Sequence, residues 1–178
     1  MSYVVGSNTR DVMNAIRQML GPEAYVYTVP LTAAVSIPPG APANQPIQAV
    51  LTVQLGQNSI TNQQSIPIPA TQIWFLTDVY TTTAPTIDGY FQIYKNGVKM
   101  LETTPYLSML VASNPSRAIL PAPAKYAPQE VLSMNFIPVA PNTGSAAVTE
   151  TAVFTIVIAD FTYTNIPPVQ VAQIAQSI

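Results

Sequence analysis

The side chains that could carry acid–base or metal chemistry in this sequence are its eight carboxylates. Histidine and cysteine are both absent, which removes the usual imidazole base, the thiol nucleophile and the common zinc ligands. Disulfide bonds are excluded for the same reason. The carboxylates are Asp11, Glu23, Asp78, Asp88, Glu102, Glu130, Glu150 and Asp160.

Asp78 and Asp88 come nearest to a functional pair, since one ends a predicted strand and the other precedes the next. If these strands are neighbours, the two carboxylates could face each other, as in glycosidases or calcium sites. The favoured alternative is a strand-end residue and the turn residue of Asp88-Gly89. The chain has no nucleophile elbow, S-x-x-K motif or phosphate-binding glycine loop. We therefore predict no enzyme, no catalytic residue and no cofactor, and a metal at this pair stays an open question.

Charged side chains are scarce in this chain, which has six basic residues, eight acidic residues and a net charge of -2. The basic residues form no run or stripe, whereas duplex binding needs several phosphate contacts. Direct nucleic-acid binding is therefore not expected. Residues 24–77 carry no charge, but prolines interrupt them, so no run of about 20 apolar residues is available for a membrane helix. The amino terminus lacks the pattern of a secretory signal peptide.

The clearest helix is predicted over residues 9–20, where Asn8 or Thr9 can cap the start and Gly21-Pro22 ends the segment. Its apolar residues recur at helical spacing, which predicts one buried stripe. The stripe either packs on its own domain or docks on a neighbouring subunit. The residues of the stripe are Val12, Met13, Ile16, Met19 and Leu20.

After Pro22, β-branched and aromatic residues gather in short runs bounded by Pro, Gly and Asn, which is typical of strands. The firmest prediction is a hairpin around Asn96-Gly97, a dipeptide that accepts the positive φ angles of a type I′ turn. Residues 152–161 are apolar on both alternating faces, so this strand should be covered on both sides. The predicted strands are 24–29, 31–37, 47–55, 72–80, 89–95, 98–103, 130–137 and 150–163.

Proline-rich connections over residues 36–46, 57–70 and 114–128 are predicted to be ordered surface loops. No repeat or composition shift indicates a second domain. The pattern thus predicts an all-β fold, with residues 1–178 forming one sandwich or barrel of about eight strands and one short helix. Residues 1–21 form an arm or helix, and residues 166–178 form an uncharged tail. Periodicity alone does not separate a jelly roll from another eight-stranded sandwich.

The helix at the amino terminus, the strand count, the long loops rich in Pro, Thr, Asn and Gln, and the missing catalytic residues resemble a viral coat protein of single jelly-roll type. More narrowly, size and texture resemble the small major capsid protein of the membrane-containing icosahedral phages of Thermus and their haloarchaeal relatives. That resemblance implies a shell of two single-barrel proteins above an internal lipid layer. The chain would then be a bacteriophage structural protein, made in the host cytoplasm and located in the virion.

The predicted function is therefore a capsid subunit that self-associates, for example as a dimer, and packs with a second capsid protein. A surface with few charges suits such contacts, because little charge is desolvated. The alternative is a receptor- or carbohydrate-binding β-sandwich of a spike or tail, based on long loops and many aromatic residues. Because histidine is absent, we expect stability to change little between pH 5.5 and 7.5. The predicted oligomer contacts are Val12, Ile16, Leu20, Val169, Ile174 and Ile178.

Overall fold

A computed structural model describes residues 9–55, 58–111 and 118–178 of the chain. Three α-helices occur in these residues: α1 (Thr9–Leu20), α2 (Leu107–Leu110) and α3 (Pro168–Ser177). A short 3-10 turn, Gly21–Glu23, follows α1. The strands are β1 (Tyr25–Ile37), β2 (Ile47–Gln48), β3 (Val50–Leu55), β4 (Asn58–Gln63), β5 (Ser65–Pro67), β6 (Gln72–Tyr80), β7 (Gly89–Lys95), β8 (Val98–Thr103), β9 (Ala118–Tyr126), β10 (Val131–Pro138) and β11 (Val148–Asp160).

The strands form two antiparallel sheets. The six-stranded sheet has the order β4-β3-β1-β11-β6-β9, and the second sheet has the order β2-β10-β7-β8, with β5 also paired to β10. The pairs are nested along the chain: β1 with β11, β2 and β5 with β10, β6 with β9, and β7 with β8. This is the strand order of a jelly roll, with the β3–β4 hairpin added at one edge. The predicted all-β sandwich is confirmed, whereas its extent as one domain over residues 1–178 stays a prediction.

Two predicted strand boundaries are wrong. Periodicity does not show which prolines a strand tolerates, or where the chain passes from one sheet to the other. The break predicted at Pro30 is absent, since β3 pairs with β1 only over Leu31–Ala34 and Pro30 lies just outside that ladder, where a missing N–H is tolerated. The predicted strand 47–55 is divided between the two sheets at Ala49, whose N–H donates to the Met134 carbonyl at 2.9 Å.

Elements also occur where only loops or a tail were predicted. β9 crosses the proline-rich segment 114–128 as an edge strand paired with β6 alone, and edge positions tolerate Pro121 and Pro123. β4 and β5 lie in the predicted loop 57–70, and α3 lies in the predicted uncharged tail. The described residues therefore contain eleven strands and three α-helices, not about eight strands and one helix.

The predicted hairpin is confirmed at its turn. Asn96 and Gly97 have φ angles of 50° and 76°, as a type I′ turn requires. Lys95 pairs with Val98, and Tyr94 pairs with Lys99. Beyond these pairs the register shifts, because Gln92 is opposite Thr103. Three residues of β8 therefore lie opposite one residue of β7, in an irregular bulge.

Two apolar clusters lie on opposite faces of the six-stranded sheet. The larger fills the space between the sheets, and the smaller lies between the six-stranded sheet and the helices α1 and α3. β11 contributes to both: Phe154, Ile156 and Ile158 belong to the larger cluster, and Val157 and Ala159 to the smaller. The prediction that this strand is covered on both sides is confirmed.

Candidate functional site

Asp78 lies on β6 of the six-stranded sheet, whereas Asp88 lies just before β7 of the second sheet, and the two have different partners. Asp78, near the end of β6, is buried beside the start of α1, where the Thr9 hydroxyl donates to its Oδ2 at 2.8 Å. A carboxylate at this end of a helix is favoured by the helix dipole. Asn8, the alternative cap, lies outside the described residues. The strands β6 and β7 are not neighbours, so the condition for two facing carboxylates is not met and the favoured interpretation, a strand-end residue and a turn residue, applies.

Asp88 accepts hydrogen bonds that join the start of β7 to α2. Its Oδ1 accepts from the backbone N–H of Gly89 at 2.9 Å and of Ser108 at 3.0 Å, and its Oδ2 accepts from the Ser108 hydroxyl. Burial raises the pKa of Asp88, but these hydrogen bonds outweigh it and the net pKa is lowered. Asp88 thus has a structural role at the start of α2.

Glu150 lies on β11, and the negative charge of Asp88 is one of the causes that shift its pKa. Its Oε1 accepts from the backbone N–H of Thr86 at 2.7 Å and of Ile87 at 2.8 Å. Burial raises the pKa of Glu150, the two backbone donors lower it, and the negative charge of Asp88 raises it, so the net shift is upward. Among the residues that the structure describes, no group of three or more acidic side chains could hold a metal ion. Glu150 thus fixes the loop at Thr86 and Ile87.

The aromatic residues that supported the carbohydrate-binding alternative are divided between core and surface. Trp74 and Phe91 are fully buried, whereas Tyr25 remains 69% exposed. Tyr27 donates to Asp160 at 3.1 Å, and burial followed by the Asp160 charge raises the pKa of Tyr27. Most aromatic side chains on the strands are buried or partly buried, as in ordinary core packing.

α1 and α3 form one layer on the outer face of the six-stranded sheet, here called the α1–α3 layer. Val12 and Ile16 are 1% exposed, and Leu20 is 8% exposed. They pack against the chain's own sheet and belong to the same apolar cluster as Val171 of α3. Burying each such side chain contributes roughly 1.5 to 3 kcal/mol to folding, so the stripe on α1 is satisfied within the subunit.

The predicted contacts on α3 have different exposures. Val169 is 72% exposed, whereas Ile174 and Ile178 are partly buried against the smaller cluster. The helix has no charged residue, and its exposed polar positions include Gln170 and Gln173. Contacts of α3 with a neighbouring subunit stay a prediction, for which Val169 is the most accessible of the named residues.

A second surface, which no sequence pattern indicated, lies at the edge of the second sheet, on β8 and α2. Leu101 is 99% exposed and Met109 is 66% exposed. Met109 lines a cavity of about 480 Å³ together with Tyr90, Lys99 and Tyr106. The Asn96-Gly97 turn indicated the hairpin, but no residue pattern signals the bulge that exposes Leu101.

Within the described residues, no helix is both long enough and apolar enough to cross a membrane.

Comparison with known proteins gives one consistent result. Residues 4–177 match the family model described as Sulfolobus polyhedral virus 1 major capsid protein VP4. The chain is also 39% identical over 170 residues to capsid protein VP4 of Sulfolobus polyhedral virus 1. That alignment covers 90% of this chain and 92% of the relative.

Proposed function

The chain belongs to the family of the Sulfolobus polyhedral virus 1 major capsid protein VP4, and from this premise we propose that its α1–α3 layer packs against neighbouring coat subunits. Family membership confirms the predicted structural coat function and the location in the virion. It favours these over a receptor- or carbohydrate-binding module. The narrower resemblance to phages of Thermus and their haloarchaeal relatives is not supported, and the relative comes from an archaeal virus, not a bacteriophage.

The observation that carries the proposal is the uncharged exposed side of α3. Val169 is 72% exposed, and the flanking Gln170 and Gln173 carry no charge that an interface would have to desolvate. Interface cores are depleted in charged residues, which is the composition found here. α3 is also fixed to the sheet by Val171 and Ala175, both buried, so a neighbour would meet a preorganised surface.

α1 supports this surface from the side. Val12, Ile16 and Leu20 are committed to the subunit's own sheet, so they would reach a neighbour only if α1 were exchanged between subunits. Exchange of an identical element is a low-cost route to oligomers. The direct contact is therefore proposed for Val169, with Ile174 and Ile178 at the border of the buried cluster.

The test compares assembly of three proteins: the full chain, Val169→Asp, and the matched control Val139→Asp. Val139 is also exposed but lies after β10 on the second sheet. We expect Val169→Asp to reduce incorporation into particles at least tenfold, by quantitative mass spectrometry, while the control assembles normally. Equal incorporation of both variants would contradict the contact on α3. Deleting residues 1–21 and, separately, 166–178, followed by light scattering, tests whether either terminus maintains the oligomer.

Three further points concern partners other than copies of this chain: a second capsid protein, an internal lipid layer and the genome. A second capsid protein and an internal lipid layer were expected from the resemblance to the Thermus phages, which the comparisons do not support, so both stay predictions. The net charge of -2 supports a subunit that does not contact the genome directly. Purified particles test all three: protein composition by mass spectrometry, lipid by extraction and chromatography, and genome contact by ultraviolet crosslinking. Crosslinking of this chain to the genome would contradict the proposed lack of contact.

A further inference from the structure

Large hydrophobic side chains are concentrated on one exposed surface at the edge of the second sheet, here called the β8–α2 face. Nine such side chains are exposed in the described residues, and four of them lie in β8, in α2 or in the residues that join these elements. Concentration of exposed apolar area in a patch of several hundred Å² is typical of an interaction site. The four are Val98 at 70%, Leu101 at 99%, Tyr106 at 44% and Met109 at 66% exposure.

The bulge in β8 explains why Leu101 projects. Gln92 is opposite Thr103 and Tyr94 is opposite Lys99. Three residues of β8 therefore lie in the interval that one residue of β7 spans. The extra residues let the Met100 side chain pack against the core, where the Tyr126 hydroxyl lies 3.4 Å from its sulfur atom. Leu101 is left outside as an apolar knob. A bulged edge strand is also poorly suited to regular strand addition, so side chains must make the contacts.

A cavity of about 480 Å³ is lined in part by Lys99 and Thr103, the residues two positions before and after Leu101. Tyr90 and Tyr106 form part of its wall, with ring centroids 5.7 Å apart in an edge-to-face arrangement. Asp88 fixes the adjoining helix α2 through the backbone N–H of Ser108. An apolar cavity of about 150 Å³ already holds a benzene molecule, so this cavity has room for a leucine side chain.

We propose that the β8–α2 face is a two-fold interface between two copies of this chain, in which Leu101 of each copy occupies the cavity of the other. A two-fold interface requires one patch that is complementary to itself, and this face carries both the knob and the cavity. The exposed parts of Leu101, Tyr106 and Met109 amount to roughly 400 Å², about half of the ~800 Å² that each partner buries in a standard interface. Lys99, Thr103 and Pro105 around the cavity extend the area.

This proposal rests on the coat function, and it adds that the partner at this face is a second copy of the chain. It is independent of the contact on α3, because it involves the other sheet. A failure of the two-fold interface would therefore leave both the family membership and the α3 contact unaffected.

The first experiment measures the mass of the purified chain by light scattering across a concentration series. The full chain should form dimers, and Leu101→Lys should weaken the dimer at least 100-fold while leaving the circular dichroism spectrum unchanged. Val139→Lys, which changes an exposed valine outside the face, should dimerise like the original chain. A monomeric full chain at high micromolar concentration would overturn the proposal, and so would normal dimerisation of Leu101→Lys.

The second experiment tests the geometry and uses the absence of cysteine from the chain. Leu101→Cys and Met109→Cys are prepared separately, mixed and oxidised, with Tyr163→Cys as an exposed control far along the chain. The mixture of the first two should give disulfide-linked dimers, because a knob at 101 approaches α2 of the other copy. Crosslinking with the control at an equal rate, or none between 101 and 109, would overturn the arrangement. Loss of Leu101→Lys from particles without any loss of dimer would also overturn it, since the face would then serve a different partner.

Discussion

The ammonium group of Lys125 on β9 donates a 2.7 Å hydrogen bond to the carbonyl oxygen of Ala175 in the last turn of α3. A cation at this end of a helix interacts favourably with the unpaired carbonyl groups and the helix dipole. Burial lowers the pKa of Lys125, and the nearby charge of Lys95 lowers it further. The edge strand of the six-stranded sheet thereby holds the end of α3, the helix proposed to meet a neighbouring subunit.

Lys125→Met should loosen α3 without unfolding the sandwich, because it removes the hydrogen bond to Ala175 but keeps an apolar stem. We expect a loss of about 1 kcal/mol in the free energy of unfolding and faster amide exchange over residues 168–178. Urea unfolding and hydrogen exchange by mass spectrometry measure these effects. Arg10→Met, which removes an exposed cation from α1, is the control and should change neither quantity. Unchanged exchange in Lys125→Met would contradict the role assigned to this contact.

Gly89→Ala should be strongly destabilising because there is no space for a side chain at this position. A Cβ atom there would lie 2.4 Å from both the Ile137 carbonyl oxygen and a ring atom of Phe136. Relieving that overlap requires movement of β10 backbone, and we expect a loss of roughly 3 kcal/mol. Gly144→Ala is the comparison, since its nearest atom is the Asn142 Oδ1 at 3.2 Å. Urea unfolding should show a much larger loss at position 89 than at 144, and similar losses would argue against this packing.

Glu150→Gln tests the buried carboxylate and the pH dependence of stability. A carboxyl group whose pKa is raised by folding stabilises the protein at low pH, and this contribution is lost as the pH rises through the folded-state pKa. The glutamine keeps an oxygen that accepts from Thr86 and Ile87. We therefore expect Glu150→Gln to raise Tm at pH 7 by about 2 to 4 °C, with the difference shrinking as the pH falls to 4.

Thermal unfolding at several pH values measures this difference. The exposed Glu23→Gln variant should follow the original chain at every pH. A difference that stays constant with pH, or a lower Tm for Glu150→Gln at pH 7, would show that Glu150 is not held with a raised pKa. The same series tests the expectation that stability changes little between pH 5.5 and 7.5.

Asn142→Ala should destabilise the connection between β10 and β11. Asn142 is 3% exposed, and its side-chain amide donates to the carbonyl oxygens of Ile37 at 2.9 Å and Ala146 at 3.0 Å. Truncation leaves these acceptors without that donor, which costs on the order of 2 kcal/mol. Urea unfolding measures the loss. The control is Asn14→Ala on the exposed side of α1, which should cost less than about 0.5 kcal/mol, as is usual for surface sites. Equal losses would contradict the structural role of Asn142.

Sequence patterns determined the elements whose signals are local. The helix over 9–20, the strands 72–80, 89–95 and 98–103, and the turn at Asn96-Gly97 all occur at the predicted positions. In each of them capping, apolar periodicity and turn residues agree over a few neighbouring positions. The absence of histidine and cysteine likewise excluded most catalytic chemistry, because a residue type missing from the chain is missing from every site that the chain could form.

Tertiary structure decided which surface each element meets. Pro121 and Pro123 are typical of loops, yet β9 is a strand because it lies at an edge. The stripe of Val12 and Ile16 could have faced a neighbour, but the outer face of β11 was available within the same chain. The exposure of Leu101 depends on a register shift between two strands. Edge position, the partner of an apolar face and strand register are relations between distant segments, so no local pattern could encode them.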